Sequence, residues 1–80
     1  MSDKPEPQNT NGINMLFDDV MELHKLSSDA KLSRFLNVAP PVISKMRRGT
    51  LTLGPSMILS LHERAGFPVA YIRKALEVTK

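Results

Sequence analysis

An all-α fold, a compact bundle of five short helices, is what this 80-residue sequence predicts. Three observations carry that expectation. Apolar residues recur at helical spacing over successive short segments. Pro and Gly punctuate the chain where those segments would start and stop. The one alternating run, "TLTL" at 50–53, is short and boxed by Gly49 and Gly54, so it reads as a connector rather than a strand pair.

The elements follow in order. Residues 1–12 are dominated by Pro, Asn, Gln, Asp and Gly and read as a disordered tail, leaving 13–80 as the folded domain. Ile13, Leu16, Phe17, Val20 and His24 form a helical stripe flanked by Met21 and Leu23, while Asp18, Asp19 and Glu22 face away; helix 1 is expected over about 13–25. "LSSD" supplies a break and a new N-cap at Ser27 or Ser28, with Asp29 favourable in the first turn. Helix 2 then runs over about 29–36, with Leu32, Phe35 and Leu36 on its apolar side. Asn37 tolerates the left-handed conformation and can turn the chain sharply, and Val38 would plug the turn. Pro40 and Pro41 start helix 3, because an N–H missing from the first turn has no intrahelical partner to lose. Gly49 ends it. Pro55 and Gly66 bracket helix 4, over about 55–65, with Met57, Ile58, Leu59 and Leu61 supplying its apolar side. Pro68 opens helix 5, about 68–78, with Val69, Ile72 and Leu76 inward.

Composition narrows the function classes. The chain contains no Cys, which removes disulfides and thiolate metal sites. No apolar run approaches the roughly 20 residues of a membrane span, and "MSDKPEPQNTNG" lacks an apolar signal segment, so a cytoplasmic location is the simplest expectation. His24 and His62 lie far apart without a ligand spacing, so no metal and no cofactor is expected. One small core leaves little room for a substrate pocket, and no enzyme is expected. The net charge is only +3, but between Asp29 and Glu63 there is no acid, and that window carries Lys31, Arg34, Lys45, Arg47 and Arg48. A basic middle between acidic ends is compatible with a solvated face and with a surface for a polyanion.

Spacing favours the polyanion. Two short helices joined by a turn of about three residues make a helix-turn-helix. Leu32, Leu36, Val38, Ile43 and Met46 fall where two crossed helices share an apolar seam, and Ser33 is small where they approach most closely. On a wheel of about 100° per residue, Val42, Ile43 and Met46 cluster on one side of helix 3, Pro41, Ser44, Lys45 and Arg48 form the opposite stripe, and Arg47 lies on the flank. A stripe with one hydroxyl, two long cations and no acid suits the DNA major groove, where Lys and Arg donate to guanine and Ser reaches several bases. Arg34 either joins that surface or pairs with Asp29 or an acid of helix 1.

The stretch "DAKLSRFLNVAPPVISKMRRG" resembles the helix-turn-helix of the phage-repressor-like (Cro-type, XRE) DNA-binding domains, and the similarity continues through "TLTLGPSMILSLHERAGFPVAYIRKAL", covering about residues 16–77. The resemblance implies a lambda-repressor-like five-helix bundle and a sequence-specific, double-stranded DNA-binding transcriptional regulator of bacterial or phage type, most simply a repressor. Carried over by position, it implies base contacts from Ala39, Pro40, Pro41, Ser44, Lys45 and Arg48. It likewise implies phosphate contacts from Ser28, Lys31, Arg47 and Thr50. C-terminal helices of such domains often pair across a two-fold axis, which makes Tyr71 on helix 5 a candidate for a homodimer interface; the alternative is that it covers its own core. Three positions depart from the family pattern: Ser33 where alanine is frequent, Asn37 where glycine is frequent, and Asp29 where a neutral amide is common. The acid would repel a nearby phosphate, a repulsion left to Lys31 to offset. The alternative function is a protein-interaction module of the same fold, such as an antitoxin or accessory subunit, for which acidic helix 1 is the supporting feature.

Overall fold

The computed structural model describes residues 9–77. It is all-helical: α1 Thr10–Leu23, α2 Asp29–Leu36, α3 Pro40–Arg48, α4 Pro55–Ser60 and α5 Val69–Leu76, with a π-helical turn, Leu61–Ala65, prolonging α4. Among the described residues there is no strand, and the "TLTL" segment is a bend whose Leu53 side chain is buried. No helix among them is long and apolar enough to cross a membrane.

α1 begins three residues earlier than its apolar stripe predicts. Asn9 is extended, and its side-chain Oδ1 accepts the Gly12 N–H at 3.2 Å, satisfying one of the helix's orphan donors. Residues 9–12, assigned by composition to the tail, are therefore the cap and first turn of a helix; the remainder of that tail, 1–8, lies outside the described residues, as do 78–80. Gly12 is buried because α5 passes directly over it, and the Asn9 N–H donates to Leu76 O at 3.2 Å. α1 ends with Leu23, and Lys25 takes a left-handed conformation, φ 57°, in the turn that follows.

The helix-turn-helix signals act locally, as their chemistry requires. The Ser28 hydroxyl accepts the Lys31 N–H at 3.2 Å, so Ser28 rather than Ser27 caps α2. Asn37 is left-handed, φ 60° and ψ 47°, and the Val38 N–H returns to Ser33 O at 2.9 Å. Ala39 is extended, the conformation a following proline imposes, and Pro40 and Pro41 occupy the first two positions of α3. That helix has no side-chain cap and needs less of one, because two of its four orphan donors do not exist. Gly49, φ 80°, closes it.

One apolar core joins all the helices. Ile13, Leu16, Phe17 and Val20 of α1 meet Leu32 and Leu36 of α2 and Ile43 and Met46 of α3; Met57, Leu61, Ala65, Phe67 and Ile72 close the far side. Ser33 is buried with its hydroxyl donating to Ala30 O at 2.8 Å, so the small residue at the crossing is also a satisfied one. Leu59 and Val69, both expected inside, are instead 54% and 38% exposed. The inward stripe of α4 and its π turn is Met57, Leu61 and Ala65, which leaves Leu59 on the opposite side; Val69 heads α5 where only Ile72 points fully into the core. Leu23 at the flank of α1 is likewise exposed, at 62%.

Candidate nucleic-acid interface

α3 is held by its inner face and free on its outer one. Ile43 and Met46 are buried, Val42 is half-buried, and Pro41, Ser44, Lys45 and Arg48 are exposed in a row, with Ala39 and Pro40 exposed at its start. All six residues assigned to base contact are thus exposed, with no carboxylate of α3 among them. Ser44 is partly occupied: its hydroxyl donates to Pro41 O at 3.4 Å, leaving the oxygen's lone pairs available. Lys45 and Arg48 make no ion pair among the described residues, and Lys31 and Arg34 of α2 add two more exposed cations without such partners.

The four residues assigned to phosphate do not stay together. Lys31 is exposed and unpaired. Ser28 and Thr50 are exposed, but each hydroxyl already serves the backbone: Ser28 caps α2, and Thr50 Oγ1 donates to Lys45 O at 3.1 Å at the end of α3. Arg47 departs from the expectation altogether. Its side chain is 19% exposed and turned inward from the outer face of α3. Nη1 donates to Asn14 Oδ1 at 2.6 Å, and Nη2 lies 3.0 Å from Asp18 Oδ1 and 3.1 Å from Asp29 Oδ1. Nε is 3.1 Å from Asp29 Oδ2 but has no aligned acceptor, so that contact is an ion pair without a hydrogen bond. The guanidinium carbon stands 5.5 Å from the centre of the Phe17 ring, within cation–π range. Asn14 answers on the main chain: its Nδ2 donates to Arg47 O at 3.2 Å, satisfying one of the orphan carbonyls at the end of α3.

This cluster changes the electrostatics of the face. Asp29 is neutralised by Arg47, not by Lys31 or Arg34, so the acid at the start of α2 presents a paired charge. Asp18 is paired in the same way from α1. The positive surface around α3 therefore rests on Lys31, Arg34, Lys45 and Arg48. The sequence carried one signal of this arrangement: Asn14 and Asp18 are four apart on α1, and Arg47 borders the apolar arc of α3, but nothing in the spacing pairs segments 29 and 33 positions apart.

The other singled-out side chains are accounted for locally. His24 packs against Phe35, the ring centres 4.5 Å apart and the planes tilted by 35°, and His62 Nδ1 is 2.8 Å from Phe67 O. No three His, Asp or Glu side chains gather for a metal among the described residues. Tyr71 is 40% exposed, donates to Asp19 Oδ2 at 3.0 Å and meets Phe67 edge-on at 5.4 Å. The hydrogen bond to Asp19, then partial desolvation and the carboxylate's charge, push its hydroxyl pKa above the ordinary value. Its ring divides two open grooves between α1 and α5, of 480 and 610 Å³.

No family model matches the chain, and no curated protein or solved structure matches it.

Proposed function

We propose that this protein is a non-catalytic, sequence-specific regulator of transcription that reads double-stranded DNA with α3, most simply a cytoplasmic repressor acting by occupancy. The observation that carries the reading is the outer stripe of α3: Pro-initiated, mounted on a tight turn, holding Ser44, Lys45 and Arg48, and free of acid. Such a helix fits the major groove, its first turn facing base edges and its cations donating to guanine O6 and N7. Pro40 and Pro41 offer apolar contact, for instance to a thymine methyl, in place of N–H donors. On this reading the exposed Lys31 meets phosphate, with Arg34 beside it on α2 adding positive charge, which supplies affinity, while the stripe supplies choice. The resemblance to the Cro-type domains supports the same reading.

A second copy fits the proposal. Two reading helices about 34 Å apart would enter successive major grooves and read a near-palindrome. Tyr71, on the half-exposed α1–α5 surface, is the residue we assign to that pairing.

Selection from random duplexes at about 150 mM salt tests the reading, since purely electrostatic binding is weak there. An enriched palindromic motif is the expected outcome; recovery of unenriched sequence from folded protein would overturn it. With a site in hand, Lys45→Ala and Arg48→Ala should each cost about 1–3 kcal/mol and relax preference at one base pair. Wild-type affinity in both variants would remove the base-reading assignment.

The rival, a protein-interaction module, draws on the α1–α5 grooves, where Leu23, Phe67, Pro68 and Tyr71 are bordered by Asp19 and Glu22. It loses part of its charge argument, because Asp18 is held by Arg47 and Asp19 by Tyr71. Co-purification with a partner that covers α3 would favour it.

A further inference from the structure

We propose that Arg47 is a positioning residue: through Asn14, Asp18 and Asp29 it fixes the angle at which α3 stands on α1 and α2, and on the DNA-reading proposal above it thereby sets where Lys45 and Arg48 meet the bases. The contacts that would otherwise hold α3 are the apolar seam and the short turn from α2. Apolar burial is non-directional, and packed helices scatter by about 15–20° around their preferred crossings. A change of that size in crossing angle moves an atom ~10 Å from the crossing point by about 3 Å, whereas a reading group needs placement within roughly 0.5 Å and 10–20°. Directional bonds are required to narrow that range. Among the described residues, the polar side-chain contacts that tie α3 to α1 and to α2 are those of Arg47 and Asn14.

Their geometry suits the task. The guanidinium is a rigid planar fork, so its bonds constrain orientation as well as distance. It spans three elements at once, with Asn14 and Asp18 on α1, Asp29 on α2 and its own backbone on α3. Phe17 supports it from below. Asn14 grips both ends of the residue, accepting from Nη1 and donating to the carbonyl, which fixes the position of α3 along its axis as well as its tilt. The two carboxylates are 67% and 47% exposed, so water screens them and their contribution lies in direction more than in strength.

Two measurements test this, and the first is independent of DNA. The chain has no cysteine, so Asn11→Cys on α1 and Ser44→Cys on α3 give a clean pair of spin labels, both exposed. The wild-type background should give one narrow inter-label distance distribution, Arg47→Gln a broadened or shifted one, and Arg47→Lys an intermediate one. An unchanged distribution in folded Arg47→Gln overturns the proposal. If Arg47→Gln does not fold, Asn14→Leu, which leaves both ion pairs in place, must show the broadening for the proposal to stand. The second measurement compares Kd for a selected site and for a scrambled duplex. Arg47→Gln should lose discrimination between them by about tenfold, the size of one good base contact, beyond any loss shared by both duplexes from uncovering Asp18 and Asp29. An equal loss on both duplexes, with discrimination kept, would overturn the role of Arg47 in placing the base-reading side chains. Failure of wild-type protein to select any site removes the DNA reading alone; the label distances still decide whether Arg47 orients α3.

Discussion

Phe17→Ala should lower stability by about 3–5 kcal/mol, the range for deleting a buried phenyl ring. Phe17 is fully buried on the inner face of α1, at the meeting of α1, α2 and α3. Truncation removes the ring's burial and opens a cavity between helices whose relative positions the outer stripe depends on. It also removes the platform beneath the Arg47 guanidinium, so a packing defect becomes a defect in the polar cluster. A domain of this size has a total stability of about 4–12 kcal/mol, so the loss removes a large part of it. Urea denaturation followed by circular dichroism measures it: the midpoint should fall sharply, and Phe17→Leu should restore much of it. A loss under about 1 kcal/mol for Phe17→Ala would mean that the core does not close over this ring as described.

Gly12→Ala should destabilise, against the helix scale. In an ordinary helix position that exchange gains about 1 kcal/mol, because alanine loses less backbone entropy than glycine. At Gly12 an added Cβ would collide with the main-chain carbonyl of Ala75 in α5. A backbone oxygen cannot rotate away as a side chain can, so α5 must move off α1, stretching the Asn9-to-Leu76 hydrogen bond and uncovering Ile72. The expected net loss is about 2–3 kcal/mol, the upper part of the usual overpacking range. The sign decides the matter: a gain in urea midpoint would contradict the close approach. Hydrogen exchange should place the loss of protection first in the α5 amides, while α2 and α3 keep theirs.

Much of the helix-turn-helix was legible because its determinants are local. Asn37, the Pro40–Pro41 pair and Gly49 each dictate a backbone conformation within a residue or two of themselves, and α2, α3 and the outer stripe followed from them. The start of α1 was not legible for the opposite reason. "NTNG" has the composition of a loop; Asn9 caps the helix locally, but the close approach that suits Gly12 to its first turn comes from α5, more than sixty positions away. Leu59 and Val69 show a different limit. An apolar residue beside an apolar stripe reads as part of it, whereas burial is settled by which neighbours arrive. Arg47 shows the sharpest one. Sequence reports a cation on the flank of a basic helix; whether it faces solvent or turns inward depends on Asn14, Asp18 and Asp29 being brought to it by the fold. The exposure of Pro41, Ser44, Lys45 and Arg48 needed no such long-range information, since helical periodicity alone set them opposite Ile43 and Met46.

The Asn9-to-Leu76 hydrogen bond, with Gly12 against Ala75, brings the two ends of the described fold side by side. The architecture is in effect a ring with one open link. A short Gly-Ser linker from Glu77 back to Asn9 would close that link, and the ring could be reopened between Leu51 and Thr52, both exposed, without cutting a helix. In the resulting circular permutant α4 and α5 come first in the chain, and the α2–α3 pair is made last, with α3 close to the free carboxyl end. The order in which the helices are strung together is thus separable from the shape they build.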